Sequence, residues 1–545
     1  MNGQNKYEVL QTYFGYSSFR DGQEELIDSI LEGNDVFGIM PTGAGKSICY
    51  QVPALMFDGI TLVISPLISL MKDQVAALNQ AGIYAAYLNS SLTQGQYFKA
   101  LDYARKGKYK IIYVAPERLL TESFLEFAIH ANFSFVSVDE AHCVSQWGQD
   151  FRPGYLKIEE FLRRLPKRPI VGAFTATATR EVQQDVVRLL QLSNPKVITT
   201  GFDRKNLSFF VLHAKDKKTA LMRILRTHYG ESGIIYCITR KLVEEVYEML
   251  AERGLEVSRY HAGMMDDERR RSQEEFTSDR TQLMVATNAF GMGIDKPDVR
   301  FVIHYNMPKN MESYYQEAGR AGRDGEKAEC YLLYSSQDVH INQFFIENSR
   351  DNEELDEETL ASVIEKDRER LKKMVFYCHT KFCYRKYMLN YFGEKAEQYC
   401  GSCGNCIGKP QAENMQTRQR NQPIYNADVT DSGGLLVAVG SKKKATFNNP
   451  ELYEQLRLLR NRFAKELQVP AYVVFTDKSL KEMSTYLPVS RAELLEIQGV
   501  GQAKCDKFGQ AFMDVISRFK EEHDVSPTKV QAKARVLSQP KKART

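Results

Sequence analysis

Along the first two-thirds of the chain, short apolar runs that break off into small or polar residues alternate with amphipathic stretches. One set reads DVFGIM, TLVISP, KIIYVAP, FSFVSVDEAH and PIVGAFTATAT, and a second reads GIIYC, VSRYHAG, QLMVATNAF, VRFVIHY and AECYLLY. Runs that are continuously apolar, rather than alternating, predict parallel strands buried on both faces. Their recurrence predicts two α/β lobes in tandem, with a boundary in GFDRKNLSF at 201–209. Ligands of such sheets bind outside the carboxyl ends of strands, so the residues just after each run are the first place to look for chemistry.

Further along, Leu452, Leu456, Leu459, Phe463 and Leu467 keep a helical spacing, and Ser490 with Glu493 forms a capping-box pattern, which predicts a small all-α unit. A chain of 545 residues exceeds one hydrophobic core and implies several modules. With 43% hydrophobic and 26% charged residues, and no apolar run near the ~18 residues of a membrane span, a soluble multidomain protein without membrane contact is expected. The opening MNGQNKYEVLQTYFG has no signal-peptide core, so a reducing, cytoplasmic setting is expected. The net charge of +4 says little, but the last twenty residues carry six Lys or Arg and no acid, as a solvated tail able to touch phosphates would.

The strand DVFGI runs into Met40-Pro41-Thr42-Gly43-Ala44-Gly45-Lys46-Ser47 and then a helix. Small residues there let backbone N–H groups wrap phosphates, Lys46 can reach the β- and γ-phosphates of ATP, and the Ser47 hydroxyl can ligate Mg²⁺. Met40 stands where the strict pattern has Gly. About ninety residues on, Asp139-Glu140-Ala141-His142 ends another strand. Asp139 suits Mg²⁺, held through water, and Glu140 suits a base for the attacking water. From the second lobe, Gln316-Glu317-Ala318-Gly319-Arg320-Ala321-Gly322-Arg323 offers two arginines for the charge that develops during hydrolysis, which puts ATP between the lobes.

Cys383, Cys400, Cys403 and Cys406 crowd one stretch, and two successive C-x-x-C steps bring three thiolates onto one turn. Cys383, expected on a preceding helix, can complete a closed Cys₄ zinc site, with Cys378 as an alternative fourth ligand. The other five cysteines read as isolated thiols.

These motifs, together with Phe174-Thr175-Ala176-Thr177 and the run Ala286 to Asp295, resemble the helicase motifs of the RecQ family within superfamily 2. Phe14-Gly15 and Phe19-Arg20-Asp21-Gly22-Gln23 resemble its motif zero, which implies that Gln23, with Phe19 and Arg20, meets the adenine. The segment Ser145 to Pro153 resembles its aromatic-rich loop, which implies DNA contacts by Gln146, Trp147, Phe151 and Arg152; Trp147 is the only Trp in the chain. Aromatic faces stack unpaired bases and Arg contacts phosphate, in agreement with that assignment. His142 and Gln146 then lie between hydrolysis and DNA as transmitters. Ser65, Thr175, Thr177, Thr287 and Asn288 are expected along the phosphate track. The family's spacing favours Cys383 over Cys378.

The resemblance implies two RecA-like lobes, at 1–205 and 206–342, a helical zinc module at 343–408, a linker at 409–447, an HRDC-like domain at 448–524 and a basic tail at 525–545. The implied activity is ATP-dependent 3′-to-5′ unwinding of DNA in repair or recombination, by a monomer on single-stranded and tailed duplex DNA near the nucleoid. Single-strand-binding or other repair proteins are the expected partners. An ATPase clamp that binds nucleic acid without net unwinding is the alternative, and an RNA helicase a third. The Gly499-Val500-Gly501 turn could offer N–H groups to phosphate or be a plain helix-helix turn. Many RecQ proteins carry a winged helix after the zinc module, yet 407–449 holds only 43 residues here. Such a fold needs roughly sixty.

Overall fold

The computed structural model describes residues 5–146, 148, 151–290, 296–348, 357–407, 449–467, 469 and 471–523. The expected linker at 409–447 and tail at 525–545 lie outside the described residues, as do Trp147 and residues 291–295.

Lobe 1 is built on β1 (Val36–Ile39), β2 (Ile60–Ile64), β3 (Ala85–Leu88), β4 (Ile111–Val114), β5 (Phe133–Val138), β6 (Ile170–Thr175) and β7 (Lys196–Thr199), in the order β3-β4-β2-β5-β6-β1-β7. Lobe 2 is built on β8 (Leu207–His213), β9 (Gly233–Tyr236), β10 (Val257–Tyr260), β11 (Leu283–Ala286), β12 (Phe301–His304) and β13 (Ala328–Tyr334), in the order β10-β11-β9-β12-β13-β8. Every pairing between these strands is parallel. β1, β2 and β4 bury every residue, which is why they read as unbroken apolar runs.

Strand order decides what the motifs can do together. β5, β6 and β1 are neighbours, so the turns after Val138, Thr175 and Ile39 open side by side at one edge of the sheet. The P-loop follows β1, the Asp139-Glu140 turn follows β5, and Thr175 lies between them at the end of β6.

Helices 336–347 and 357–379 carry the chain from lobe 2 into the zinc module, and the core runs through that junction without a break: Tyr314 and Tyr377 are fully buried with ring centroids 5.2 Å apart. The carboxyl-terminal unit has its own core, with Phe475, Phe508 and Phe512 packed edge to face around Leu456. The capping box at Ser490 and Glu493 is formed.

That unit docks on both lobes. Gly499 N–H donates to the Gly15 carbonyl at 3.0 Å, and Lys507 Nζ to Gln80 Oε1 at 2.6 Å. A Cβ on Gly15 would lie 2.5 Å from Val500 N, so only glycine admits this approach. The Gly499-Val500-Gly501 turn is therefore a seat on lobe 1 in this arrangement. On lobe 2, Arg460 is buried between Asp477, at 2.5 Å, and Asp279, at 3.4 Å. Lys296 joins Asp279 to Asp298, the latter at 3.0 Å.

Candidate active site and zinc cluster

The P-loop turns through Gly43 and Gly45, at φ 85° and 84°, a left-handed backbone that glycine adopts without strain. It delivers Lys46 and Ser47 to the first turn of the helix Lys46–Met56. Lys46 Nζ lies 3.8 Å from Glu140 Oε1. Glu140 itself is left-handed, at φ 47°, and its N–H donates to Asp139 Oδ1 at 3.0 Å. A non-glycine residue held there costs on the order of 1–3 kcal/mol, the kind of strain found where a side chain must be aimed.

The two carboxylates are driven apart. Burial, then the adjacent Glu140, pushes the Asp139 carboxyl up to about 7. Burial also opposes ionisation of Glu140, but Lys46, His142, Arg320 and Arg323 outweigh it and hold the group below its ordinary value. A buried acid that ionises reluctantly, with the Ser47 hydroxyl on the P-loop helix, is a donor set that fits a divalent cation such as Mg²⁺.

Lobe 2 closes over this edge. A Cβ on Gly319 would lie 3.5 Å from Thr42 Cβ, and one on Gly43 only 3.3 Å from Arg323 Cγ. Arg320 is buried, and its Nε has no hydrogen-bond partner. Lys46, Arg320 and Arg323 act on the two carboxylates, and Arg20 and Arg204 lie against the P-loop, a surplus of positive charge suited to a polyphosphate. Gln23 is turned differently from expectation. Its Nε2 donates to the P-loop carbonyls of Ala44 and Gly45, at 3.1 and 3.0 Å, its Oε1 accepts from Arg20 N–H at 2.8 Å, and Arg20 reaches the Gly43 carbonyl. An adenine edge would have to compete with these bonds. Phe19 packs nearby against Tyr7.

In the zinc module, the sulfurs of Cys383, Cys400, Cys403 and Cys406 all lie within 4.8 Å of one another, with Cys403 to Cys383 at 3.9 Å. A tetrahedral site with Zn–S near ~2.3 Å needs sulfur separations of about 3.8 Å. Hydrogen bonds from Cys383 and Cys403 drive the Cys400 thiol down, and the same contacts push Cys383 and Cys403 up, as thiols crowded into one cluster do. Cys383 caps the helix Tyr384–Tyr391, its sulfur accepting from Lys386 N–H, where the sequence suggested a position on a helix. Cys378 is buried outside the cluster, so the alternative ligand is set aside.

Four family models match the chain: DEAD/DEAH box helicase over residues 20–185, helicase conserved C-terminal domain over 216–325, RecQ zinc-binding over 336–407 and HRDC domain over 449–516. The chain is 40% identical to the ATP-dependent DNA helicase RecQ of Bacillus subtilis, over 94% of this chain and 98% of that one. The chain belongs to the RecQ family of helicases. It is likewise 36% identical to the ATP-dependent DNA helicase RecQ of Pasteurella multocida, over 95% and 94% of the two chains. Among solved structures, Mss116p bound to single-stranded RNA and AMP-PNP is 16% identical, with a TM-score of 0.54 over 71% of this chain and 89% of that one, which speaks to the shared two-lobed fold alone. The protein is thus an ATP-dependent DNA helicase of the RecQ type, and nucleotide, Mg²⁺ and Zn²⁺ are implied. No described helix is long and apolar enough to cross a membrane.

The residues expected on the DNA side of this RecQ motor are only partly gathered on one surface. Arg152 Nη1 donates to the Pro66 carbonyl at 3.1 Å, which ties the end of the aromatic-rich loop to the Ser65-Pro66 turn. Phe151 and Gln146 are half-buried, and Asn288 is exposed beside the buried Thr287. Ser65, Thr175 and Thr177 are buried, as Thr287 is. Thr175 Oγ1 meets His142 Nδ1 at 2.8 Å, the same nitrogen lies 3.3 Å from Glu140 Oε2, and Gln316 of lobe 2 donates to Thr177 Oγ1 at 3.4 Å.

Sequence reasoning missed Tyr155, whose hydroxyl donates to the Asp139 carbonyl at 2.8 Å, and Arg204, which lies against the P-loop. Neither carries a motif signal: Tyr155 follows the loop in an ordinary aromatic position, and Arg204 sits in the segment read only as a boundary.

Proposed function

We propose that this chain moves 3′ to 5′ along single-stranded DNA, using ATP hydrolysis between its lobes, and opens tailed duplexes in DNA repair or recombination. The observation that carries this reading is the seating of the Gly319–Arg323 turn directly on the P-loop at Thr42 and Gly43. In that seat Lys46 holds the β- and γ-phosphates, Ser47 and Asp139 hold Mg²⁺, Glu140 takes the proton of the attacking water, and Arg320 with Arg323 meets the charge of the transition state. Phe19, Arg20 and Gln23 receive the base, with Gln23 exchanging a P-loop carbonyl for the adenine edge.

His142 is the coupling residue in this reading. It touches both Glu140, which acts on water, and Thr175, which ends the next strand. Gln146, Trp147, Phe151, Arg152, Thr287 and Asn288 form the strand track, while Zn²⁺ on the four cysteines holds its module folded.

The same reading gives the motor no winged-helix wedge. The zinc-binding match ends at 407 and the HRDC match begins at 449, which leaves 41 residues between them. The alignment to the Bacillus relative runs 588 columns, whereas 94% of 545 residues is about 512, so about 76 columns belong to the relative alone. Directional movement is tested by ATP-driven displacement of streptavidin from biotinylated single strands. Release from the 5′ end is expected, and release only from the 3′ end overturns the polarity.

A further inference from the structure

The two lobes are joined by the chain between β7 and β8, and within it Arg204 makes contacts that neither lobe's motifs account for. Its Nη1 donates to the carbonyl of Thr42, in the P-loop, at 2.7 Å, and to that of Gly319 at 3.1 Å. Its Nη2 donates to the carbonyls of Ala321 and Gly322 at 3.0 and 2.8 Å. Asn206 completes the grip, with Nδ2 donating to the carbonyls of Gly322 and Glu326, both at 2.8 Å. All four acceptors of the Arg204 terminal nitrogens are backbone carbonyls, and together they span the P-loop and the turn that carries Arg320 and Arg323.

Geometry explains why the residue is arginine. A guanidinium presents five N–H donors in one rigid plane, so a single side chain can reach carbonyls on two separate loops and fix their spacing. An ammonium on a flexible stem cannot hold that fork. The base of the fork is itself clamped from the zinc module. Arg385 pairs with Asp203 and donates to the carbonyls of Arg204, at 2.8 Å, and Leu207. Phe392 stacks on Phe202 with centroids 4.7 Å apart, and Glu394 accepts from Phe202 N–H.

We propose that Arg204 is a positioning residue for ATP hydrolysis: a staple on the interlobe connection that sets the arginine turn of lobe 2 against the P-loop of lobe 1. The inference rests on the proposed role of that turn in hydrolysis. Because the terminal nitrogens of Arg204 bond to carbonyls of the two loops, and its Nε only to Asn206 Oδ1 at 3.4 Å, it acts on where Arg320 and Arg323 stand, and nucleotide binding through Lys46 and Ser47 remains. A misplacement of about 1 Å at a reacting group can cost roughly a hundredfold in rate.

The test measures affinity for a fluorescent ATP analogue, together with KM and kcat for ATP with saturating single-stranded DNA, in the full chain. Variants are Arg204→Ala, Arg204→Lys, Asn206→Ala, Arg323→Ala and Arg204→Ala with Arg323→Ala. Arg204→Ala and Arg204→Lys are expected to keep analogue affinity and KM within about threefold while kcat falls about ten- to a hundredfold. Asn206→Ala, which removes the Nε partner of Arg204 but leaves its four carbonyl contacts, is expected to give a smaller loss of kcat and keeps the test open should Arg204→Ala fold poorly. The double variant is expected to lose less than the two single losses multiplied, because Arg204 acts through the turn that carries Arg323 and only its effect on Arg320 remains. Three results overturn the inference: unchanged kcat in Arg204→Ala or Arg204→Lys beside a crippled Arg323→Ala, losses that multiply in the double variant, or weakened affinity with unchanged kcat. Unchanged kcat in Arg323→Ala overturns instead the reading of the turn on which the inference stands.

Discussion

Lys46 at the head of the P-loop helix faces Glu140 at the end of β5, with Nζ 3.8 Å from Oε1, so the cation meant for phosphate and the carboxylate meant for water share one pocket. Replacing Lys46 with Ala removes the phosphate cation and leaves the strand-facing residues untouched. ATP hydrolysis is expected to be lost while binding of single-stranded DNA, followed by fluorescence anisotropy, persists. Hydrolysis near the wild-type rate would remove Lys46 from the site.

Arg323 comes from the other lobe and ends beside Gly43. If it meets the transition state, Arg323→Ala should bind nucleotide almost normally and lose roughly 10³-fold or more in turnover. Single-turnover hydrolysis separates the two quantities, and turnover within a few-fold of wild type would return Arg323 to an ordinary contact between lobes.

His142 joins Glu140, proposed to act on water, to Thr175 at the end of the next strand. His142→Ala should therefore keep basal hydrolysis and lose most of its stimulation by single-stranded DNA. Stimulation equal to wild type would show that coupling runs elsewhere.

The cysteine cluster makes a prediction about metal. Cys403 is buried at the centre of the cluster, and Cys403→Ser should release zinc and unfold residues 336–407, because a closed site contributes its binding energy to folding. Metal analysis of the purified wild-type protein should return one zinc per chain, and its absence there would refute the site.

Arg460 lies among Asp279, Asp298 and Asp477 at the seam between lobe 2 and the HRDC domain. Arg460→Met leaves three carboxylates facing Lys296 alone, and breaking such a buried network costs about 3–5 kcal/mol. Hydrogen exchange should rise across 450–523 and at 276–283, and unchanged protection there would make the seam incidental.

What the sequence made legible was decided by burial. β1, β2, β4 and β5 are covered on both faces and read as apolar runs, whereas of the four edge strands only β10 is read, in VSRYHAG, and β3, β7 and β8 are not. β7 exposes three of its four residues, so its apolar content carries no run to see. The phosphate loop, the acidic turn and the Cys₄ cluster are local in sequence, and spacing alone identifies them. Arg204, Tyr155 and the buried seam of the HRDC domain are not local: their partners lie 162, 16 and 181 positions away, and nothing in the intervening residues announces the contact.

The central claim is that the interlobe cleft drives strand separation with a fixed direction on DNA. Strand displacement measured on short 3′-tailed, 5′-tailed and blunt duplexes, each as DNA and as RNA, with ATPase followed in the same samples, tests it most directly. ATP-dependent opening of 3′-tailed DNA is expected, with robust DNA-stimulated hydrolysis and weak opening of long blunt duplexes. Equal opening of 5′-tailed or RNA duplexes, or DNA-stimulated hydrolysis with no strand displaced from 3′-tailed DNA, would contradict it.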